Sequence, residues 1–220
     1  MSPIITLNAF PEVYDDYFED RWFGPPEMPQ FAAHGDKLQM ICMRSGDMLA
    51  EDATWGLVPH WRAYAENPIH YAAGETITRK WSVSNSFRDR RCIIPATAFT
   101  YLRDVDGVTM SYCLTPSRSG LMLLGGIYES IQPCFTSPSP TVALITTKPC
   151  QILQCYARQM PLLLNKAQIM PWLRYTTDAA LLKSYIRPYA DDDLTLTITA
   201  RPVENITQSL KLSSDDLQLV

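Results

Sequence analysis

The sequence predicts an α+β fold: a mainly antiparallel β-sheet with flanking helices, formed as one domain over residues 1–220. Three observations carry that expectation. Short apolar or alternating runs follow one another directly, which is the order of an antiparallel sheet and not of a doubly wound one. Helical spacing is confined to a few segments near the two ends. A chain of 220 residues with 46% hydrophobic and 19% charged side chains is long and apolar enough for a sizeable core. No internal repeat interrupts it.

The first element is a helix from Pro11 to Phe23, where Tyr14, Tyr17, Phe18 and Trp22 recur at helical spacing with acids between them. Gly24-Pro25-Pro26 ends it. Short strands are expected over Leu38 to Arg44, Thr54 to Val58, Cys92 to Ile94, Ala98 to Leu102, Thr109 to Thr115, Leu121 to Tyr128 and Thr141 to Thr147. Asp106-Gly107 is a hairpin turn between two of them. Thr136 to Pro140 reads as a loop. Helices are expected over Asn165 to Leu173 and Asp178 to Ile186, the second capped by Asp178, and Leu194 to Val203 as a final strand.

Several function classes are disfavoured. There is no Gly-rich phosphate loop, no Gly-x-Ser-x-Gly elbow and no His-Glu-x-x-His helix, and only nine glycines are available for a backbone cradle. The six cysteines Cys42, Cys92, Cys113, Cys134, Cys150 and Cys155 form no C-x-x-C pair, and the three histidines have no zinc spacing. No metal and no cofactor are expected, and the cysteines read as reduced, mostly buried thiols. The N-terminus lacks a basic, apolar leader, and no apolar run reaches the roughly 20 residues needed to cross a bilayer. A cytoplasmic protein with no membrane partner is the expectation.

The net charge of −4 argues against a bulk nucleic-acid binder. Charge is unevenly placed, however. Arg79, Lys80, Arg88, Arg90 and Arg91 stand close together, opposed only by Asp89, and a local field matters more to a phosphate chain than the total. Just upstream lies Trp55 to Trp61, Trp-Gly-Leu-Val-Pro-His-Trp. Two readings fit this stretch: an aromatic platform on which unpaired bases stack beside cations, or a packed strand end.

Trp55 to Trp61 resembles the Trp-Gly-Leu-Val-Pro-x-Trp motif of the SOS response associated peptidase (SRAP) family, whose members sense abasic sites in single-stranded DNA. Other blocks follow in order. Met1 to Leu7 stands where that family opens Met-Cys-Gly-Arg-Phe-Thr-Leu, and Tyr71 to Thr76 where it has Asn-Ala-Arg-Ala/Ser-Glu-Thr. Arg90 to Phe99 is similar to Arg-Arg-Cys-Leu-Ile-Pro-Ala-Asp-Gly-Phe, Gly125 to Glu129 to Ala-Gly-Leu-Trp-Glu, and Ile145-Thr146-Thr147 is followed at the family's interval by Met160-Pro161. The resemblance runs almost end to end.

That resemblance implies a particular chemistry. The N-terminal Cys, freed of Met, attacks the ring-opened abasic sugar through its amine and closes a thiazolidine with its thiol, while a Glu, a His and an Asn move protons and hold the sugar. The same apparatus is thought to remove the leading residue. This chain departs at each of those positions: Ser2 replaces the Cys, Tyr71 the Asn, Tyr101 the Glu and Ala157 the His. Ala73 also replaces an Arg. An alcohol ionises far less readily than a thiol, and a phenol of pKa about 10 is a weak base near neutrality. With Met1 retained, the Ser2 amine is blocked as well; a small Ser favours Met removal and Pro3 opposes it.

The resemblance therefore implies a pseudoenzyme that binds single-stranded or abasic-site DNA noncovalently in a DNA-damage context, its crosslinking and autopeptidase chemistry lost. Two alternatives stand beside it. One is an active abasic-site crosslinking or lyase enzyme using Ser2 or its amine, assisted by Tyr101 or His60; the other is an interaction scaffold without DNA binding. By position, the catalytic candidates are Ser2 and Tyr101, and the DNA-binding candidates Trp55, Pro59, Trp61, Tyr71, Lys80 and Arg90. Glu75 and Thr76 read as a structural hydrogen-bonding pair.

Overall fold

A computed structural model describes residues 2–7, 11–18, 31–59, 61, 67–118, 120–130, 139–189 and 193–202. In chain order the elements are β1 (Ser2–Thr6), α1 (Pro11–Phe18), β2 (Phe31–Ala32), β3 (Lys37–Arg44), β4 (Asp47–Trp55), β5 (Tyr71–Ala73), α2 (Trp81–Asp89), β6 (Arg91–Ala96), β7 (Ala98–Val105), β8 (Val108–Pro116), β9 (Met122–Glu129), β10 (Thr141–Thr147), β11 (Met160–Pro161), β12 (Leu163–Leu164), α3 (Ile169–Leu173), α4 (Ala179–Tyr185) and β13 (Leu194–Pro202). The class is α+β, as the run of consecutive strands predicts.

Two sheets form. The five-stranded one has the order β13-β8-β7-β1-β2 and is antiparallel throughout. The eight-stranded one follows β11-β10-β4-β3-β6-β9-β12, with β5 added on β10. Because β9 also pairs with β10, the path through β4, β3, β6 and β9 closes on itself. The sheets are mainly antiparallel, as expected; the exceptions are the pairings of β10, which runs parallel to both β4 and β5.

Alternate residues of the eight-stranded sheet face two different cores. Cys92 and Ile94 of β6, Leu124 of β9 and Leu144 of β10 share one with Ile5, Phe99 and Leu114 of the smaller sheet. Their neighbours Ile93, Leu123, Ile127 and Ile145 pack with Phe18, Phe87 and Trp172 of the helices. Burial on both faces is why β6 and β9 read as continuous apolar runs. It also explains Gly126, where a Cβ would sit 3.1 Å from the Ala143 carbonyl oxygen and closer still to Ile94.

Two tight hairpins set register. Asp106-Gly107 joins β7 to β8 with φ of 54° and 78°, and Ser45-Gly46, unforeseen, joins β3 to β4 with φ of 54° and 96°. Positive φ at both loop positions matches the right-handed twist of the flanking strands. The strand expected from Thr54 begins seven residues earlier, at Asp47, and ends at Trp55. The Asn165 helix opens as a 3-10 turn, Lys166–Gln168, closed by a reciprocal Asn165–Gln168 cap, before α3 begins. Asp178 caps α4 as expected, accepting from Ala180 N at 2.8 Å. The helix from Pro11 is observed to Phe18, and its expected continuation through Trp22 lies outside the described residues. Cys42, Cys92 and Cys150 are buried free thiols, Cys155 is exposed, and Cys134 lies outside the described residues. No helix among the described residues is long and apolar enough to cross a membrane.

Candidate functional site

Strand β10 organises the site. Its residues Leu144 and Thr146 pair with Tyr71 and Ala73 on one edge, while Thr146 and Thr147 pair with Pro161 and Met160 on the other. The smaller sheet contributes β7, whose period of two puts Phe99, Tyr101 and Arg103 on one face. Beside it lies β1, with Pro3 opposite Tyr101 and Ser2 opposite Leu102. Between these elements opens a cavity of about 740 Å³, lined by Pro3, Tyr71, Tyr101 and Ala157, with Arg103 and Arg158 among its further walls.

The positions read as reactive in the sequence thus converge. Tyr71, Tyr101 and Ala157 face one space, and the backbone of Ser2 is next to Pro3 at its edge. Tyr101 is buried, packs edge-on to Phe99 and donates its hydroxyl to the Gln159 carbonyl at 2.9 Å. Burial, with Tyr71 and Cys150 nearby, pushes its ionisation well above the ordinary phenol range. Burial does the same to Tyr71. Neither phenol can serve as a base near neutral pH. Among the described residues lining the cavity, the one carboxylate is that of Asp104, on an exposed part of β7.

The Tyr71 hydroxyl meets His34 Nε2 at 3.2 Å. His34 in turn stacks on His70, with ring centroids 3.9 Å apart and an interplanar angle of 20°. Desolvation, with the nearness of His70 adding to it, lowers His34 to about 4, and desolvation lowers His70 as well. Both rings are therefore neutral at pH 7. No motif in the sequence marks His34, His70 or the cations Arg103 and Arg158 as part of this site. Arg103 had a readable signal, since it follows Tyr101 by two residues on the same strand.

The DNA-binding candidates separate. Trp55 is fully buried and donates Nε1 to the His70 carbonyl at 3.2 Å, so the expectation of a stacking face there is corrected. Pro59 is likewise buried. Trp61 is 42% exposed and lies against Trp81, itself 67% exposed, with ring centroids 4.2 Å apart. Lys80 is exposed immediately before Trp81, at the start of α2. His60 lies outside the described residues.

Arg90 already has a partner. Its guanidinium reaches Glu129 Oε1 at 2.8 Å, and that carboxylate is nearly buried, so the charge is spent inside the protein. Arg91 is buried and donates to Phe87 O at 2.7 Å, Trp172 O at 2.7 Å and Arg174 O at 2.6 Å, and also to Arg88 O. These carbonyls end α2 and α3, where unpaired acceptors and the negative ends of two helix dipoles favour a cation. Burial lowers its pKa to about 10, leaving it charged at neutral pH.

The model of the SOS response associated peptidase (SRAP) family matches residues 15–206. The chain is 31% identical over 169 residues to the abasic site processing protein YoqW of Bacillus subtilis (strain 168), covering 74% of this chain and 73% of that protein. It is 29% identical over 219 residues to the abasic site processing protein YoaM of the same organism, covering 96% and 93%. A crystal structure of a protein from Bordetella bronchiseptica has the same fold, with a TM-score of 0.76 at 18% identity over 90% of this chain and 99% of that one.

Proposed function

The chain belongs to the SOS response associated peptidase (SRAP) family, and on that premise we propose that it binds single-stranded or abasic-site DNA noncovalently, its covalent chemistry lost. Residues 1–220 act in this reading as one such domain. The observation that carries it is the convergence of Tyr71, Tyr101 and Ala157 on one cavity beside β1. Substitutions scattered over a surface would leave a reaction centre partly intact; these remove proton-transfer groups from a single place. What remains suits binding. The cavity has aromatic walls for an unstacked sugar or base, and Arg103 and Arg158 are exposed beside it for phosphates.

The abasic-site processing relatives make abasic DNA the natural ligand to offer first. Trp61 with Trp81 would stack on a neighbouring base, and Lys80 would meet a phosphate. The alternative of a rewired enzyme is weakened by Tyr101, whose hydroxyl is donated to the Gln159 carbonyl and keeps its proton too firmly to act as a base. Fluorescence anisotropy with a labelled single-stranded oligonucleotide, repeated across salt concentrations, tests the binding. Affinity that falls linearly on a log–log salt plot supports it, because phosphate contacts release counterions. No measurable binding at low salt would favour the scaffold alternative.

A further inference from the structure

The Tyr71 hydroxyl is held from behind. His34, in the turn after β2, places Nε2 at 3.2 Å from it, and His70 immediately precedes Tyr71 and stacks on the His34 ring. Trp55 stands edge-on to both His34 and Tyr71, at centroid distances of 4.6 and 5.9 Å, and its Nε1 ties down the His70 backbone. This is a packed aromatic cluster in which the histidine's position is set by three neighbours. Tyr71 lines the cavity and His34 does not.

The sense of the hydrogen bond follows from the groups. A neutral imidazole has one bare nitrogen, a good acceptor, while a phenol has one proton that it gives more readily than its oxygen accepts. With both histidines neutral, the favoured arrangement is O–H of Tyr71 to Nε2 of His34. Tyr101 has likewise committed its proton, to the Gln159 carbonyl at 2.9 Å. Each phenol then faces the cavity with oxygen lone pairs only.

We propose that His34 is a positioning residue that turns the Tyr71 hydroxyl into a hydrogen-bond acceptor, so that the cavity, with Tyr101, selects a sugar that offers a hydroxyl donor. Within a DNA strand the 3′ and 5′ oxygens are phosphodiesters, and an intact deoxynucleotide has no free sugar hydroxyl. The closed form of an abasic deoxyribose has one, at C1′. The inference rests on the abasic-DNA reading above and names the feature of the damaged sugar that is recognised.

The test compares dissociation constants, by anisotropy, for three single-stranded oligonucleotides: one with a natural abasic site, one with its tetrahydrofuran analogue lacking the C1′ hydroxyl, and one undamaged. The wild-type protein should prefer the natural site over the analogue by roughly three- to tenfold, the effect of one buried hydrogen bond. Tyr71→Phe, which keeps the ring, and His34→Ala should each erase that preference, so that natural site and analogue bind alike. His34→Gln, whose amide oxygen can still accept, should retain it, a rescue that a merely structural role would not produce. Equal binding of natural site and analogue by the wild type, both above undamaged DNA, would sink this inference and leave abasic recognition standing. Equal binding of all three, or of none, would remove both. A preference that survives Tyr71→Phe or His34→Ala, or that His34→Gln loses, would also overturn it.

Discussion

Trp55 is fully buried, its indole N–H donated to a backbone carbonyl, while Trp61, six residues on in the same motif, lies 42% exposed against the ring of Trp81. The arginines divide the same way. Arg91 is buried among four carbonyls at two helix ends and Arg90 is paired with Glu129, while Arg103 and Arg158 stand exposed at the cavity. Residue type does not separate the two groups; burial does. A cation or an indole held by partners within the protein and withdrawn from water belongs to the scaffold. One left open to water is available to a ligand.

The sharpest way to break this division is to truncate the scaffold members. Trp55→Ala should cost about 3–5 kcal/mol by cavity formation. Arg91→Met, which strands four acceptors, should cost about 3 kcal/mol or more. Urea denaturation followed by tryptophan fluorescence measures both, and a loss under 1 kcal/mol for either would contradict the assignment. Next in size, Trp61→Ala or Trp81→Ala should leave stability within about 0.5 kcal/mol but weaken single-stranded DNA binding by about 1–3 kcal/mol, the value of one stacked base. Unchanged affinity would return Trp61 to the packing class.

Smaller effects are expected from the cations. Arg103→Ala and Arg158→Ala should each reduce the slope of log affinity against log salt by about 1, and Arg90→Ala should not change it. The smallest effect concerns acid stability. An unfolded histidine takes up its proton near pH 6.5, whereas folded His34 resists until about 4, so the unfolded state binds more protons between those values. Stability is then complete above about pH 6.5 and declines as pH falls toward 4. Because His34 is exposed the decline is modest, and a melting-temperature series for the wild type and His34→Gln should show a flatter acid limb in the variant.

Much of the fold was legible because burial writes itself into strands as apolar runs or alternation, as in β3, β9 and β10, and because Asp106-Gly107 carries the chemistry of its own turn. Helix α2 was not. Trp-Ser-Val-Ser-Asn-Ser-Phe contains weak helix formers, and its N-cap, Lys80, makes no side-chain cap, so neither propensity nor a start signal marks it; only Val83, Ser86 and Phe87 turn inward. Of the site, positions 71, 101 and 157 were legible through ordered motifs. The His34–Tyr71 bond was not, since it joins residues 37 apart through sheet geometry. Arg90 reads as a DNA contact because charge is visible in a sequence while Glu129, which pairs with it, arrives from a distant segment, as do the Trp172 and Arg174 carbonyls that engage Arg91.

The central claim is binding without bond formation, and one incubation tests it. The protein is mixed with a labelled single-stranded oligonucleotide bearing a natural abasic site, and the mixture is divided between a native gel and a heated denaturing gel, with and without borohydride. Noncovalent recognition predicts a retarded band on the native gel and free oligonucleotide on the denaturing gel under both treatments. A heat-stable shifted band, or one trapped by borohydride and lost when Ser2 is mutated, would show that the chemistry survives.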